Sequence, residues 1–190
     1  MALAVLFLIL QLGFAVLIFY LCIAFVTGAP FVPSTNPTAQ SMITLARIKP
    51  GMNVYDLGSG DGRLLFLAAK KGARAIGLEI NPLLVLWTWI KKMLSRRPKT
   101  GFNPANGVRV RWKNFWGVNL ADADVVFVYL LPWRMEKLAA KLKRELKPGT
   151  LIISNSFIFP NWKILRQDKK NHVYVFKIEG SHTSITSQHP

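Results

Sequence analysis

VYDLGSGDG, at residues 54–62, is the stretch of sequence that decides the fold. An apolar segment ends in the acid Asp56 and runs directly into three glycines at alternate positions, after which a helical pattern begins. Glycines in such a turn let the backbone bend tightly and approach a ligand without a Cβ atom in the way. The N–H groups at the start of the following helix point to the same place. The stretch therefore predicts a strand, a ligand-binding turn and a helix.

The spacing and charge of this turn indicate the class of ligand. A dinucleotide-binding turn reads G-x-G-x-x-G, whereas the third glycine here, Gly62, comes one residue early. Asp56 and Asp61 place two carboxylates at a helix N-terminus, where they would repel a pyrophosphate and attract a cationic amino group. S-adenosyl-L-methionine carries an ammonium and a sulfonium, so we expect it as the cofactor; helix capping by the two acids is the alternative. The predicted contacts in the turn are Asp56, Gly58, Ser59, Gly60, Asp61 and Gly62.

Polar residues also follow the next two predicted strands. Glu79 comes about twenty residues after the glycines, where an acid accepts hydrogen bonds from ribose hydroxyls. Asn81 follows it at the start of a helix and is included among the predicted cofactor contacts. Asn114 can meet the adenine amino group while Phe115 covers the ring; a simple turn residue is the alternative for Asn114. Only nine Asp and Glu residues are present, and three of them stand at these cofactor positions.

The hydrophobic period switches repeatedly along the chain between that of a strand and that of a helix. Strands are predicted at 53–57, 74–78, 108–112, 124–131 and 150–154, helices at 38–47, 62–71, 82 onward and 134–146, and a closing hairpin at 163–167 and 172–178. Alternating strands and helices favour a mostly parallel sheet that is covered on both faces. We therefore expect an α/β, Rossmann-like domain with seven strands and a C-terminal antiparallel hairpin.

The N-terminal residues differ from the rest of the chain in charge. Residues 1–46 contain no Lys, Arg, Asp or Glu, whereas the whole chain has a net charge of +16. Residues 2–26 are almost wholly apolar, and a helix of that length rises roughly 37 Å, enough to cross a hydrocarbon core of about 30 Å. A cleaved signal peptide is the alternative, but it would have a basic start and a shorter apolar core. We expect a transmembrane anchor at 1–27, a linker and lid helix at 28–50, the α/β domain at 51–179 and a polar tail at 180–190.

The basic excess after the apolar helix favours a single-pass membrane protein with its domain in the cytoplasm. A bacterial inner membrane is the favoured location, and a mitochondrial inner membrane if the protein is eukaryotic. The single cysteine, Cys22, lies in the apolar run, and the three histidines have no partners at metal-ligand spacing. We therefore expect no metal site.

At this point the sequence resembles a known family. The pattern DLGSGDG, followed by an acid at the end of the second strand, is similar to the class I (seven-β-strand) methyltransferases. PFVPST at 30–35, LEINP at 78–82 and FPNW at 159–162 resemble the membrane-anchored protein-lysine methyltransferases of the ATP synthase c subunit and the adenine nucleotide translocator, with their prokaryotic relatives. The resemblance implies methyl transfer from S-adenosylmethionine to lysines of a membrane-associated protein. It also implies that Phe31, Pro33 and Thr35 line the substrate channel.

The acceptor side departs from a common pattern of amino-group methyltransferases. Many carry Asn/Asp-Pro-Pro-aromatic after the fourth strand, whereas this chain reads YLLPW at 129–133. Tyr129, Pro132 and Trp133 are the predicted catalytic residues, because a hydroxyl and aromatic faces can steer a lysine ammonium; core packing is the alternative. The basic run at 91–99 would attract anionic lipid or RNA phosphates. RNA, a small molecule or a lipid is thus a less favoured substrate, and an inactive cofactor-binding scaffold is the remaining alternative.

Overall fold

The computed structural model describes residues 1–27, 34–95 and 104–180, and within 20–27 it describes the side chain of Cys22 alone. The strands are β1 Asn53–Leu57, β2 Arg74–Glu79, β3 Val108–Trp112, β4 Val125–Val128, β5 Leu151–Asn155, β6 Arg166–Asp168 and β7 Val173–Lys177. The α-helices are α1 Ala2–Thr27, α2 Asn36–Ala46, α3 Arg63–Lys70, α4 Pro82–Leu94 and α5 Pro132–Glu145. Two 3₁₀ turns occupy Pro104–Gly107 and Phe115–Gly117.

The seven strands form one sheet in the order β3-β2-β1-β4-β5-β7-β6. β1 to β5 are parallel, and β7 runs antiparallel to both of its neighbours. Every residue of β4 is buried, as expected for a strand covered on both faces. The expected α/β domain is confirmed: a mostly parallel seven-stranded sheet, a C-terminal antiparallel hairpin and a preceding apolar helix.

Two hydrophobic cores lie on opposite faces of the sheet. α2 and α3 contribute Met42 and Leu65 to one core, which includes Phe127. α5 contributes Leu138 to the other, where it shares a cluster with Phe176. Burying each such side chain contributes about 1.5–3 kcal/mol to stability. The two cores cover both faces of the middle of the sheet, and the carboxyl edge of the sheet is where a ligand can bind.

The helix predicted as part of a lid, α2, is fastened to the antiparallel hairpin. Ser41 Oγ donates to Asp168 Oδ2 at 2.7 Å, and the Arg166 guanidinium donates to the Leu45 carbonyl at 3.0 Å. Hydrogen bonds from Asn171 and from Ser41 lower the pKa of Asp168 to about 2. These contacts join α2 to β6, so α2 is an integral layer of the domain.

Several element boundaries differ from the sequence prediction. β4 ends at Val128 rather than at residue 131, and α5 begins at Pro132 rather than at 134. Proline fits the first turn of a helix because the N–H it lacks would have no partner there. The first hairpin strand begins at Arg166 rather than at 163, and Asp168, predicted in the turn, pairs with Val173. The bounds of this strand therefore depend more on its pairing with β7 than on its own polar sequence.

α1 is long and apolar enough to cross a membrane by length and composition, over Ala2–Phe19. Its side chains in that window are not buried by the rest of the described chain. The predicted linker between α1 and α2 falls mostly on residues 28–33, and the tail mostly on 181–190; both stretches lie outside the described residues.

Gly77, in the middle of β2, lets the glycine turn lie directly on the sheet, and its replacement tests this approach. A Cβ atom there would lie 2.5 Å from Ser59 Oγ and 2.6 Å from Leu65 Cδ1. We expect Gly77→Ala to lower the free energy of unfolding by about 1–3 kcal/mol because of this overpacking. Gly117→Ala is the matched control, since no atom lies within 4 Å of its added Cβ. Equal stability of the two variants in chemical denaturation would contradict the close approach.

Candidate functional site

The carboxyl ends of β1, β2, β4 and β5 bring three predicted site residues, and one that was not predicted, to one edge of the sheet. Leu57 of β1 is aligned with Leu78 of β2 and with Val128 of β4. Val128 is in turn aligned with Ser154 of β5. The residues that follow these four positions, and so stand in a row, are Gly58, Glu79, Tyr129 and Asn155. Open α/β sheets bind ligands at this edge.

The three glycines of the turn are required by its backbone. Gly58, Gly60 and Gly62 have φ values of 83°, 53° and 76°, in the left-handed region that disfavours other residues. Gly62 also faces α4, where a Cβ atom would lie 2.6 Å from Thr88 Cγ2. Thr88 is fully buried and its Oγ1 donates to the Gly60 carbonyl at 3.3 Å. The turn is therefore packed tightly against α4 from behind.

Glu79 fixes the same turn from the side. Its Oε2 accepts the Gly60 N–H at 2.8 Å. Its Oε1 accepts the N–H groups of Ile80 at 2.9 Å and Asn81 at 2.8 Å. The carboxylate is 7% exposed and lines the cleft beside the turn. Each carboxylate oxygen can accept two hydrogen bonds, so Oε2 retains capacity for a ligand hydroxyl.

Asp56 is the acid of the site with the fewest hydrogen bonds and ion pairs to stabilise its charge. It is 6% exposed, and no donor in the described part of the chain hydrogen-bonds to its carboxylate. Burial, followed by repulsion from Glu79 and from Asp61, raises its pKa to about 8. A cationic ligand group would stabilise the ionised form of this buried acid, so the site favours such a ligand.

Asp61 has cationic neighbours within the chain. Lys91 Nζ of α4 donates to its Oδ2 at 3.0 Å and to its carbonyl at 2.9 Å. The Arg63 backbone N–H donates to Asp61 Oδ1 at 3.1 Å, which is the helix-capping contact considered as the alternative. Asp61 thus ties the turn to α3 and α4, and its predicted contact with the cofactor stays a prediction.

A shallow cleft opens beside the turn, on the β2 and β3 side of Gly58. Its lining residues are Gly58, Leu78, Glu79, Ile80, Lys113, Asn114 and Phe115. Phe115 is buried, and Asn114 Oδ1 accepts the Trp116 N–H at 3.1 Å, so the Asn114 amide NH₂ is left for a ligand. The lining of the cleft thus includes an acid, an amide and an aromatic ring, groups that can bind the ribose and the base of a nucleoside.

Two predicted cofactor residues have structural roles for their side chains. Asn81 Oδ1 caps α4 by accepting the Leu83 N–H at 2.9 Å. The Ser59 side chain packs against Gly77, and its buried Oγ has no hydrogen-bond partner among the described residues. Contact of these two residues with a cofactor stays a prediction.

The donor set fits S-adenosylmethionine. For the amino group, Asp56 supplies a buried carboxylate that has no hydrogen-bond donor among the described residues. Glu79 supplies an acceptor for the ribose, and Asn114 with Phe115 supplies an amide and a ring for adenine. The left-handed glycines keep the turn free of Cβ atoms where the ligand would approach.

The predicted acceptor residues lie beside this cofactor region. The Tyr129 ring stacks on Phe157, with centroids 6.3 Å apart and planes inclined by 20°. Pro132 begins α5, and Trp133 next to it is 54% exposed. The FPNW motif has a different place: Phe159 is 1% exposed and packs in the core cluster. A catalytic role for Tyr129, Pro132 and Trp133 stays a prediction.

The predicted substrate-channel residues are only partly described. Thr35 caps α2, where its Oγ1 accepts the Thr38 N–H at 3.3 Å. Phe31 and Pro33 lie outside the described residues.

Sequence reasoning missed two side chains that hold the segment before α2 at the site. Arg63 Nη1 donates to the Ser34 carbonyl at 2.7 Å, and Asn155 Nδ2 donates to Ser34 Oγ at 3.0 Å. Asn155 is 5% exposed and ends β5 beside Tyr129. The polar run Ser-Asn-Ser at 154–156, directly after an apolar strand, was the available indication.

The comparisons with known proteins agree with this geometry. A family model described as "ANTKMT methyltransferase domain" matches residues 56–166. The protein-lysine N-methyltransferase of Saccharolobus islandicus (strain REY15A) is 31% identical over 84% of this chain and 99% of its own length. The Homo sapiens lysine N-methyltransferase of the ATP synthase c subunit is 33% identical over 79% of this chain, which spans only 64% of the human protein.

A solved structure is similar over nearly the same region. The crystal structure of an RNA methyltransferase from Salinibacter ruber, in complex with S-adenosyl-L-homocysteine, superposes with a TM-score of 0.71. The two sequences are 33% identical, and the match covers 78% of this chain and 94% of the Salinibacter ruber chain.

Proton release on cofactor binding tests the assignment of Asp56. Its pKa of about 8 leaves the carboxyl mostly protonated at pH 7, and a bound cation would lower that pKa and expel the proton. We expect titration calorimetry in two buffers of different ionisation enthalpy, at pH 7, to show release of close to one proton per S-adenosylmethionine. Asp56→Asn should abolish the release, whereas the exposed Glu136→Gln on α5 should retain it. Unchanged release in Asp56→Asn would contradict the assignment.

The same pKa predicts how stability depends on pH without ligand. Asp56 binds its proton more tightly when folded, about 8 against 3.8, so its contribution is lost as pH rises through that interval. We therefore expect Asp56→Asn to gain stability over wild type as pH rises from about 5 to about 9 in ligand-free thermal unfolding. A constant difference across this range would contradict the raised pKa.

Proposed function

The chain belongs to the ANTKMT methyltransferase family, and we propose that it methylates lysine side chains of a membrane-associated protein. Family membership and the class I fold make it an S-adenosylmethionine-dependent methyltransferase. The lysine acceptor is proposed because the relatives from Saccharolobus and Homo sapiens carry that activity in their names.

One observation carries the proposal: the carboxyl edge of the sheet has an acidic half and an aromatic, uncharged half. Asp56 and Glu79 stand on the acidic half, which suits the cofactor. The stacked pair Tyr129 and Phe157 stands on the other half, beside the buried amide of Asn155. An apolar, aromatic wall removes water from an incoming ammonium and favours its neutral form. That form is the one that accepts a methyl group.

The residues of the acceptor side act by orientation and exclusion of water. When bound, S-adenosylmethionine supplies an electrophilic methyl group on its sulfonium. Residues 129–132 and 155–158 contain no carboxylate and no imidazole, so the ammonium would enter protonated and release its proton to solvent before it accepts the methyl group. Tyr129 and Trp133 would steer the side chain by their ring faces. Holding the amine in line with the methyl group then supplies much of the rate enhancement.

RNA is the second candidate substrate, and two observations favour it. The similar structure from Salinibacter ruber is described as an RNA methyltransferase. Residues 91–99, KKMLSRRPK, would also bind phosphates. A protein acceptor is preferred because the two relatives named above are lysine N-methyltransferases.

The membrane location of the substrate is proposed from α1, the candidate membrane span. An anchor confines the enzyme to the same surface as its acceptor and so raises their effective concentration. The basic domain follows the span, which supports an orientation with the domain in the cytoplasm, or in the mitochondrial matrix of a eukaryote. A membrane-embedded or peripheral protein would then be the substrate.

Methyl transfer to native membranes tests the proposal directly. The full chain in detergent is incubated with methyl-tritiated S-adenosylmethionine and with membranes, or with total RNA, from cells lacking this protein. We expect label in a membrane protein band, recovered as methyl-lysine after acid hydrolysis, and loss of that label in Glu79→Ala. Glu136→Gln is the control. Label in RNA alone would overturn the lysine proposal while leaving the methyltransferase class intact, and absence of cofactor binding by wild type would refute both.

Two replacements of Tyr129 separate its ring from its hydroxyl. If the ring steers the ammonium, Tyr129→Phe retains most activity, whereas Tyr129→Ala lowers kcat/KM for the acceptor roughly 3- to 30-fold, the size of a cation–π contact. The Kd for S-adenosylmethionine should change little in either variant. Equal losses in the two variants would assign the effect to the hydroxyl instead.

A further inference from the structure

α4 turns an apolar face toward solvent. A surface helix of a soluble protein normally buries its apolar stripe and exposes its polar one. In α4 only Thr88 is buried, while Leu83 is 68% and Leu94 is 77% exposed. The large exposed side chains, here called the apolar face of α4, are Leu83, Leu86, Trp87, Trp89, Ile90, Met93 and Leu94. Nothing in the described chain covers this face.

The inward side of α4 explains why the helix has this orientation. Thr88 contacts the Gly60 carbonyl, and Lys91 pairs with Asp61. Lys92, on the last turn, donates to the Val108 carbonyl of the edge strand β3. Polar residues thus fasten α4 to the glycine turn and to the sheet, which leaves its apolar residues pointing away from the domain.

The sequence around this face carries only positive charge. Residues 80–121 contain eight Lys and Arg and no Asp or Glu. Arg109 and Arg111 are exposed on the adjoining strand β3, and Trp112 at its end is 63% exposed. Exposed tryptophans beside cationic residues are typical of the boundary between lipid headgroups and acyl chains.

We propose that the apolar face of α4 docks into the headgroup region of an anionic lipid bilayer, with α4 lying along the membrane surface. Charge selects this occupant over a second copy of the chain. Two copies that each carry +16 repel one another, whereas anionic lipid attracts the basic residues that flank the face. The candidate span α1 in the same chain keeps a bilayer within reach. This inference goes beyond the proposed function and does not depend on which acceptor is methylated.

Docking of this kind would orient the active edge toward the membrane. α4 begins at the carboxyl edge of β2, just after Glu79, so the first turns of the apolar face lie next to the cofactor cleft. A bilayer contact there would present the edge to lysines close to the lipid surface. It would also hold α4 against the glycine turn from the opposite side of the helix.

The tryptophan distribution allows the contact to be measured in the full chain. α1 contains no tryptophan, and the six of the protein are Trp87, Trp89, Trp112, Trp116, Trp133 and Trp162. Bromine quenches tryptophan fluorescence only at contact distance, so quenching by brominated acyl chains reports insertion of the domain and not of α1. The full chain is reconstituted into phosphatidylglycerol-containing vesicles with or without lipids brominated near the headgroup, and into neutral phosphatidylcholine vesicles.

We expect quenching in the anionic vesicles, weaker quenching in the neutral ones, and loss of most of it in Trp87→Phe/Trp89→Phe. Trp133→Phe is the matched control, because Trp133 is equally exposed but belongs to α5, and it should retain the quenching. Leu83→Glu/Leu94→Glu should also lose the quenching while keeping the wild-type unfolding temperature, since both side chains are largely exposed.

Three results would overturn the inference. The first is absence of quenching of the wild-type protein in the anionic vesicles. The second is quenching that survives both double substitutions. The third is a dimer in which Trp87 and Trp89 are shielded from brominated lipid, which would assign the apolar face to a second copy.

Discussion

The carboxylate of Glu79 accepts three backbone hydrogen bonds, and the geometry of the site depends on them. They tie the glycine turn after β1 to the start of α4, two segments that are nineteen residues apart at Gly60 and Glu79. Hydrogen bonds from neutral donors to a charged group are among the stronger ones in proteins, at about 1.5–3 kcal/mol. A side chain at position 77 would collide with Ser59 of the turn, and one at position 62 would collide with Thr88. The turn is thus held in its ligand-ready shape by the fold itself.

A consequence of this arrangement is an excess of negative charge at one edge of a strongly basic protein. Asp61 is neutralised by Lys91 at 3.0 Å, but both side chains are partly exposed, so the pair contributes little more than about 0–1 kcal/mol. Its role is positional. Asp56 has no comparable partner in the part of the chain that the structure describes, and burial raises its pKa to about 8. The ligand-free fold therefore holds an acid in its neutral form until a cation arrives, which is a cost that the two hydrophobic cores offset.

The sequence predicted the parts of the molecule that are encoded by local pattern. The glycine turn, the alternation of strands and helices, the closing hairpin and Glu79 all depend on residues close together in the chain. Contacts between distant segments were not predictable in the same way. Ser41 meets Asp168 across 127 positions, and Asn155 meets Ser34 across 121. Neither pair has a spacing that a periodic pattern could reveal, because the fold alone brings them together.

α4 shows a different limit of sequence pattern. Its composition is that of a buried helix, and hydrophobicity alone does not say which face turns inward. The orientation of α4 is set by Thr88 and Lys91, whose partners Gly60 and Asp61 lie in the glycine turn. Because those polar contacts are fixed by the cofactor site, the apolar side chains have to face outward. A bilayer would supply the missing layer of packing for them. The same helix would then hold the cofactor turn with one side and lipid with the other, so that the site is assembled where its substrates are.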